Sequence, residues 1–129
     1  MIIYGIGIDV VEVGRIEAAI ERQGEAFLGR LFTERERGYC ARQKRPALHY
    51  AARFAAKEAV SKALGTGIGG QAGWLDMEVE RADSGAPKMV FSGNAAEFIA
   101  REGIAEVQVS LSHAKEYAAA NAVAIRHSA

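Results

Sequence analysis

From Ile2 to Ile8 the chain alternates β-branched residues with glycines, a pattern that predicts a buried strand delivering Asp9 at its carboxyl end. Val13, Ile16 and Ile20 then recur at helical spacing with charges between them, which predicts an amphipathic helix. Phe27, Leu28, Leu31 and Phe32 predict a second short helical turn. Thr33 with Glu36 three residues on has capping-box form, so a third helix starts there and ends before Pro46. The alanine-rich stretch from Ala47 to Leu64 contains no glycine or proline and predicts a long helix, with Gly65 as its C-cap.

Beyond a glycine-rich loop, Leu75, Met77 and Val79 alternate with Asp76, Glu78 and Glu80, and a second run from Lys88 to Phe91 follows the turn Asp83-Ser84-Gly85-Ala86-Pro87, which predicts a hairpin. Asn94 to Glu102 reads as a short helix closed by Gly103. Val107, Val109 and Leu111 alternate with polar residues as a strand, with His113 just beyond it. The segment from Glu116 to Arg126 is ambiguous, because its alanines favour a helix while Tyr117, Val123 and Ile125 suit a buried strand. With no repeat, linker or low-complexity tract, the chain reads as a single α+β domain over residues 1–129.

Composition narrows the function classes. The chain is 50% hydrophobic and 25% charged, with 16 basic and 16 acidic residues, which excludes a protein devoted to holding nucleic acid by its phosphates. The charge is uneven: Arg35, Arg37, Arg42, Lys44, Arg45, Arg53 and Lys57 face only Glu36 in their stretch, which is either a solvated helix face or a local anion site. Cys40 is the sole cysteine, so no intrachain disulfide forms and a reducing cytoplasm fits. The apolar segment from Met1 stops at Asp9, so neither a signal peptide nor a membrane span is expected.

On the long helix, rotation of 100° per residue places Lys57, Glu58, Ser61 and Lys62 within an arc of about 140°. Glu58 and Lys62 have the spacing of a surface ion pair. They are also the parts of a phosphoryl-transfer site, a carboxylate for Mg²⁺ and a lysine for phosphate one turn later. Asp9 is either a second hard oxygen ligand or the N-cap of a helix beginning near Val11. Gly65-Thr66-Gly67-Ile68-Gly69-Gly70 matches a dinucleotide fingerprint in letters, yet it ends a helix and enters a hairpin, so it cannot present a helix N-terminus to pyrophosphate. Neither His113, which has no partner visible in the sequence, nor Cys40, which reads as buried packing, decides the function.

Two segments carry a resemblance. Gly5-Ile6-Gly7-Ile8-Asp9-Val10-Val11-Glu12 followed by Arg15-Ile16, and the run Arg53-Phe54-Ala55-Ala56-Lys57-Glu58-Ala59-Val60-Ser61-Lys62-Ala63-Leu64-Gly65-Thr66-Gly67-Ile68, resemble the signature blocks of holo-acyl-carrier-protein synthases. Ser110-Leu111-Ser112-His113 with Glu116-Tyr117-Ala118-Ala119-Ala120 extends the similarity over nearly the full chain.

The resemblance implies a phosphopantetheinyl transferase-like α+β domain, with helices packed on an antiparallel sheet and the final segment a strand. It implies transfer of the phosphopantetheine arm of coenzyme A to a serine of apo acyl carrier protein, in fatty acid biosynthesis, with release of adenosine 3′,5′-bisphosphate. Asp9 and Glu58 are then Mg²⁺ ligands. Lys62 faces the phosphates, and Glu58 is the general base, directly or through a metal-bound water. Arg53, Ser61, Lys62, Gly65 and His113 line the cofactor cleft, and Arg15 meets the acidic carrier. The family's homotrimer, with cofactor between subunits, would draw Asp9 and Glu58 from different chains. At Gly70 and Gln71 many relatives have a basic residue, so a phosphate or carrier contact there is in doubt. The alternatives from other classes are a non-catalytic coenzyme A or carrier-protein binding module and a nucleotide-dependent oxidoreductase.

Overall fold

The computed structural model describes residues 1–127; Ser128 and Ala129, the last two residues of the expected domain, lie outside the described residues. The elements run β1 (Ile2–Glu12), α1 (Val13–Gln23), α2 (Glu25–Leu31), α3 (Glu34–Ala41), α4 (Pro46–Leu64), a 3-10 turn at Trp74–Asp76, β2 (Met77–Arg81), β3 (Pro87–Phe91), α5 (Gly93–Glu102), β4 (Ile104–His113) and β5 (Tyr117–Arg126). β1, β5 and β4 form an antiparallel sheet in that order, and β2 and β3 form the expected hairpin as a separate sheet.

The long helix is the centre of the molecule. α4 lies along one face of the three-stranded sheet, and small residues make the contact: Ala52, Ala56, Ala59 and Ala63 on the helix, and Ala118, Ala120, Ala122 and Ala124 on β5, are all buried. The alanines of the final segment are therefore the helix-facing side of a central strand. β1 presents Gly5 and Gly7 to the same helix, and a Cβ at these positions would lie 2.1 Å from the Ala63 carbonyl oxygen and 2.0 Å from that of Ala59. No side chain but glycine's permits this approach.

This placement corrects the reading of β1 as a buried strand. Because the glycines and Asp9 face α4, the alternate residues Ile6, Ile8 and Val10 face outward and are 60–70% exposed. β1 also continues past Asp9 to Glu12, and Glu12 occupies the N-cap of α1 without a side-chain cap bond. Asp9 is therefore not a helix cap.

The capping box of α3 forms as expected, but its glutamate does more than cap. Glu36 is 1% exposed; it accepts from the Thr33 backbone N–H at 2.9 Å, the Val79 N–H at 2.7 Å and Lys57 Nζ at 2.7 Å. Lys57, fully buried, also donates to the carbonyls of Leu31 at 2.7 Å and Trp74 at 3.0 Å. The arc from Lys57 to Lys62 is thus divided, with Lys57 inside and Glu58 and Lys62 towards solvent. Burial pushes the Lys57 ammonium pKa down and the Glu36 carboxylate partly restores it. Breaking such a pair from one side costs about 3–5 kcal/mol, so Lys57 holds α4 against α2, α3 and the hairpin.

Candidate active site

Asp9 and Lys62 meet where β1 crosses α4. Lys62 Nζ donates to the Ile8 carbonyl at 3.0 Å and to Asp9 Oδ1 at 3.3 Å. Glu58, one turn earlier on the helix, is half-buried, and its pKa is raised by burial and then by the Asp9 charge, with Lys62 opposing. Two carboxylates and one lysine thus gather within a single chain. The resemblance drew Asp9 and Glu58 from different chains, whereas here one chain already brings them near each other.

Among the described residues no cluster of three or more His, Cys, Asp or Glu side chains could cage a metal. Two mutually repelling carboxylates suit instead a Mg²⁺ ion that completes its shell with water and substrate phosphates. The donor set fits the expected metal.

The other expected residues occupy three places. Gly65 sits exposed at the end of α4 in the left-handed conformation, φ 80°, the geometry that makes glycine the C-cap. Ser61 is buried, and its hydroxyl donates to the Glu58 carbonyl at 2.8 Å, turning back on its own helix. Arg15 stands exposed on the first turn of α1, with no ion pair among the described residues. The glycine loop follows a helix and leads to the 3-10 turn, as the rejection of the dinucleotide fingerprint requires.

Arg53 and His113 share a cavity of about 200 Å³ between α4, the hairpin and β4, together with His49 and Arg81. The wider basic stretch does not form one face. Arg35, Arg37 and Arg45 pair with Glu80, Glu25 and Glu17, while Arg53 and Lys57 turn inward. A larger groove of about 820 Å³, lined by Ile20, Leu28 and Tyr50 among others, includes none of the expected site residues.

The sequence model of the 4′-phosphopantetheinyl transferase superfamily matches residues 5–122. The chain belongs to that superfamily. Among its relatives, holo-[acyl-carrier-protein] synthase of Desulforudis audaxviator is 51% identical over 124 residues, covering 95% of this chain and 93% of the relative. That of Koribacter versatilis is 46% identical over 121 residues, covering 94% and 97%. The crystal structure of the Neisseria meningitidis holo-[acyl-carrier-protein] synthase superposes with a TM-score of 0.92 at 34% identity, covering 97% of this chain and 100% of that one. The Helicobacter pylori synthase in complex with coenzyme A superposes at 0.83 with 33% identity, covering 93% and 99%. The chain is thus a phosphopantetheinyl transferase.

Sequence reasoning missed the placement of three residues on or beside α4. Lys57 was read with the exposed arc because rotation along a helix does not say which side is covered. His49 and Arg81 belong to segments with no distinguishing spacing, and only the packing of the hairpin against α4 brings them together.

Proposed function

We propose that this transferase moves the phosphopantetheine arm of coenzyme A to a serine of apo acyl carrier protein at a Mg²⁺ site made by Asp9 and Glu58 of one chain. The observation that carries the reading is the meeting of Asp9, Glu58 and Lys62 where β1 touches α4. Mg²⁺ held by Asp9 and Glu58 would supply charge neutralisation to the substrate's phosphates.

The protein's own groups do the rest. The serine hydroxyl attacks the phosphorus next to the pantetheine arm, the bond to adenosine 3′,5′-bisphosphate breaks, and Glu58 receives the serine proton. The Lys62 side chain is 50% exposed, so it can exchange Asp9 for a phosphate oxygen and stabilise the departing bisphosphate. Arg53 contributes positive charge to the phosphates from the cavity it shares with His113, Ser61 fixes the carbonyl of Glu58, and the Gly65 backbone is assigned to the same cofactor. Arg15 meets the acidic carrier.

We propose further that the protein is a homotrimer. The support is the open face of the three-stranded sheet, where Ile6, Ile8 and Val10 stand beside Val123 and Ala119 of β5 with no covering layer. The lone buried Cys40 supports a cytoplasmic location. No helix among the described residues is long and apolar enough to cross a membrane.

Mass spectrometry of apo acyl carrier protein incubated with coenzyme A and Mg²⁺ tests the function. A mass gain of one phosphopantetheine arm is expected, and its absence while coenzyme A still binds would favour the non-catalytic module.

A further inference from the structure

The groove of about 820 Å³ at the start of α4 takes no part in the proposed chemistry, because Pro46, Ala47 and Tyr50 reach it about two helical turns before Glu58. α1 and α3 form its walls. Each packs on α4 but scarcely on the other, which leaves the gap between them open. The floor is apolar, made by Ile20, Leu28, Ala47 and Tyr50. On the α3 side, Gly38 leaves the middle of the wall without a side chain, between Glu34 and Ala41. The rim is acidic. Glu17, Glu21, Glu25 and Glu34 face a single guanidinium, that of Arg37, which Glu25 already pairs. Glu17 pairs with Arg45, while Glu21 and Glu34 have no ion pair among the described residues.

The sign of this charge separates the groove from the carrier's surface. Rotation of 100° per residue puts Arg15 and Arg22 on one side of α1, within about 20° of each other, and centres Glu17, Ile20 and Glu21 on the opposite side. An acidic carrier that meets Arg15 is therefore repelled by the groove. An apolar floor beneath carboxylates complements an element whose apolar stripe is flanked by positive charge, and a gap between two helices floored by a third suits the face of another helix. The walls, 11 and 8 residues long, run for about 16 Å and about 12 Å, enough for about two to three turns of a docked helix.

We propose that the groove docks a basic amphipathic helix of a second protein, with its apolar stripe on Ile20, Leu28 and Tyr50 and its lysines or arginines against Glu17, Glu21 and Glu34. The transferase then addresses two partners of opposite charge from the two sides of α1, the acidic carrier through Arg15 and the basic helix through the groove. The contrast with the carrier rests on the proposed role of Arg15, whereas the groove's own preference rests on its lining alone. Carboxylates at the rim steer and select, and the apolar floor holds the bound helix, so affinity should fall with added salt without vanishing.

The probe is a fluorescein-labelled peptide of about 14 residues, with leucines at helical spacing and lysines elsewhere, read by anisotropy against the full chain. One control keeps the leucine pattern with glutamates in place of lysines, and the other keeps the composition with the leucines scattered. One-to-one binding of the first peptide is expected, at least about tenfold tighter than either control, and Glu21→Lys combined with Glu34→Lys should weaken it about tenfold. Gly38 can carry a side chain, because a Cβ there finds its nearest neighbour, the Arg42 guanidinium, at 3.7 Å. Gly38→Trp should therefore fill the groove and abolish binding with carrier kcat/KM and oligomeric mass unchanged, while Gly38→Ala keeps binding and raises the melting temperature. No binding of the first peptide would overturn the proposal. So would binding that survives Gly38→Trp or that the scattered peptide matches, since either is charge attraction alone. A changed oligomeric mass in Gly38→Trp would give the groove to a second copy, and a fall in carrier kcat/KM would give it to the carrier; each overturns the basic partner. Absence of transfer in the wild type would strike down the proposed function and leave the peptide result standing, so the two failures are distinguishable.

Discussion

Gly7→Ala is the most informative single change in this protein, because it acts on the contact that assembles the site without removing any group that does chemistry. The added Cβ would lie 2.0 Å from the Ala59 carbonyl oxygen, 2.8 Å from the Ala63 nitrogen and 2.9 Å from Lys62 Cβ, where contacts under 3.0 Å are essentially never found. The two closest atoms are backbone, so no rotamer change relieves the clash, and β1 and α4 must separate by about 1 Å. Overpacking of this kind costs about 1–3 kcal/mol, and the rigid backbone on both sides puts this case at the upper end. Asp9 lies two residues along the same face of β1, and Glu58 is the neighbour of Ala59 on α4, so the separation opens the site directly. A displacement of about 1 Å can cost about 10²-fold in rate. Urea unfolding and the transfer rate at saturating coenzyme A and Mg²⁺ measure both effects. Gly14→Ala is the internal control: it sits exposed in α1 with nothing within 4 Å, and should stabilise the protein by about 0.5–1 kcal/mol with no change in rate. A Gly7→Ala protein within about 0.5 kcal/mol of wild type and fully active would refute the reasoning.

Glu58→Gln should abolish transfer yet raise the melting temperature at pH 7. A carboxyl whose folded pKa is raised contributes stability that is complete below its unfolded pKa and lost as pH rises through the folded one, so the amide removes a neutral-pH penalty and the difference should vanish near pH 4. Because both carboxylates belong to one chain, mixing inactive Asp9→Asn and Glu58→Gln proteins should restore no activity, whereas recovery would return the site to two subunits. Lys62→Ala should lower turnover about 10²-fold while changing coenzyme A binding and melting temperature little, with Lys62→Arg recovering part; an unchanged turnover would reduce Lys62 to a surface ion pair. Lys57→Met leaves Glu36 buried without its charge partner and should cost about 3–5 kcal/mol in urea unfolding, a loss under about 1 kcal/mol contradicting its anchoring role. Val10→Lys on the outward face of β1 should give a folded monomer by light scattering, against the trimer proposed for the wild type.

Much of the architecture was legible because it is local. The capping box of Thr33 and Glu36, the glycines that close α4 and α5, the uninterrupted long helix and the hairpin turn each depend on residues a few positions apart, where spacing alone expresses the physics. Asp9, Glu58 and Lys62 were legible as candidate chemistry, and the signature blocks tied them to one family. Tertiary structure decided what local pattern leaves open, namely which side of an element is covered and by what. The alanines of β5 express helix propensity when read alone, yet they form a strand because a closely packed helix leaves room only for small side chains. The glycines and isoleucines of β1 read as a buried strand until α4 takes the glycine side and leaves the isoleucines outward. His49, Arg53, Arg81 and His113 are scattered along 65 residues of chain and share a cavity only because the hairpin folds against α4 beside β4. Periodicity marks an element's two faces as different, and only the rest of the fold assigns one of them to the interior.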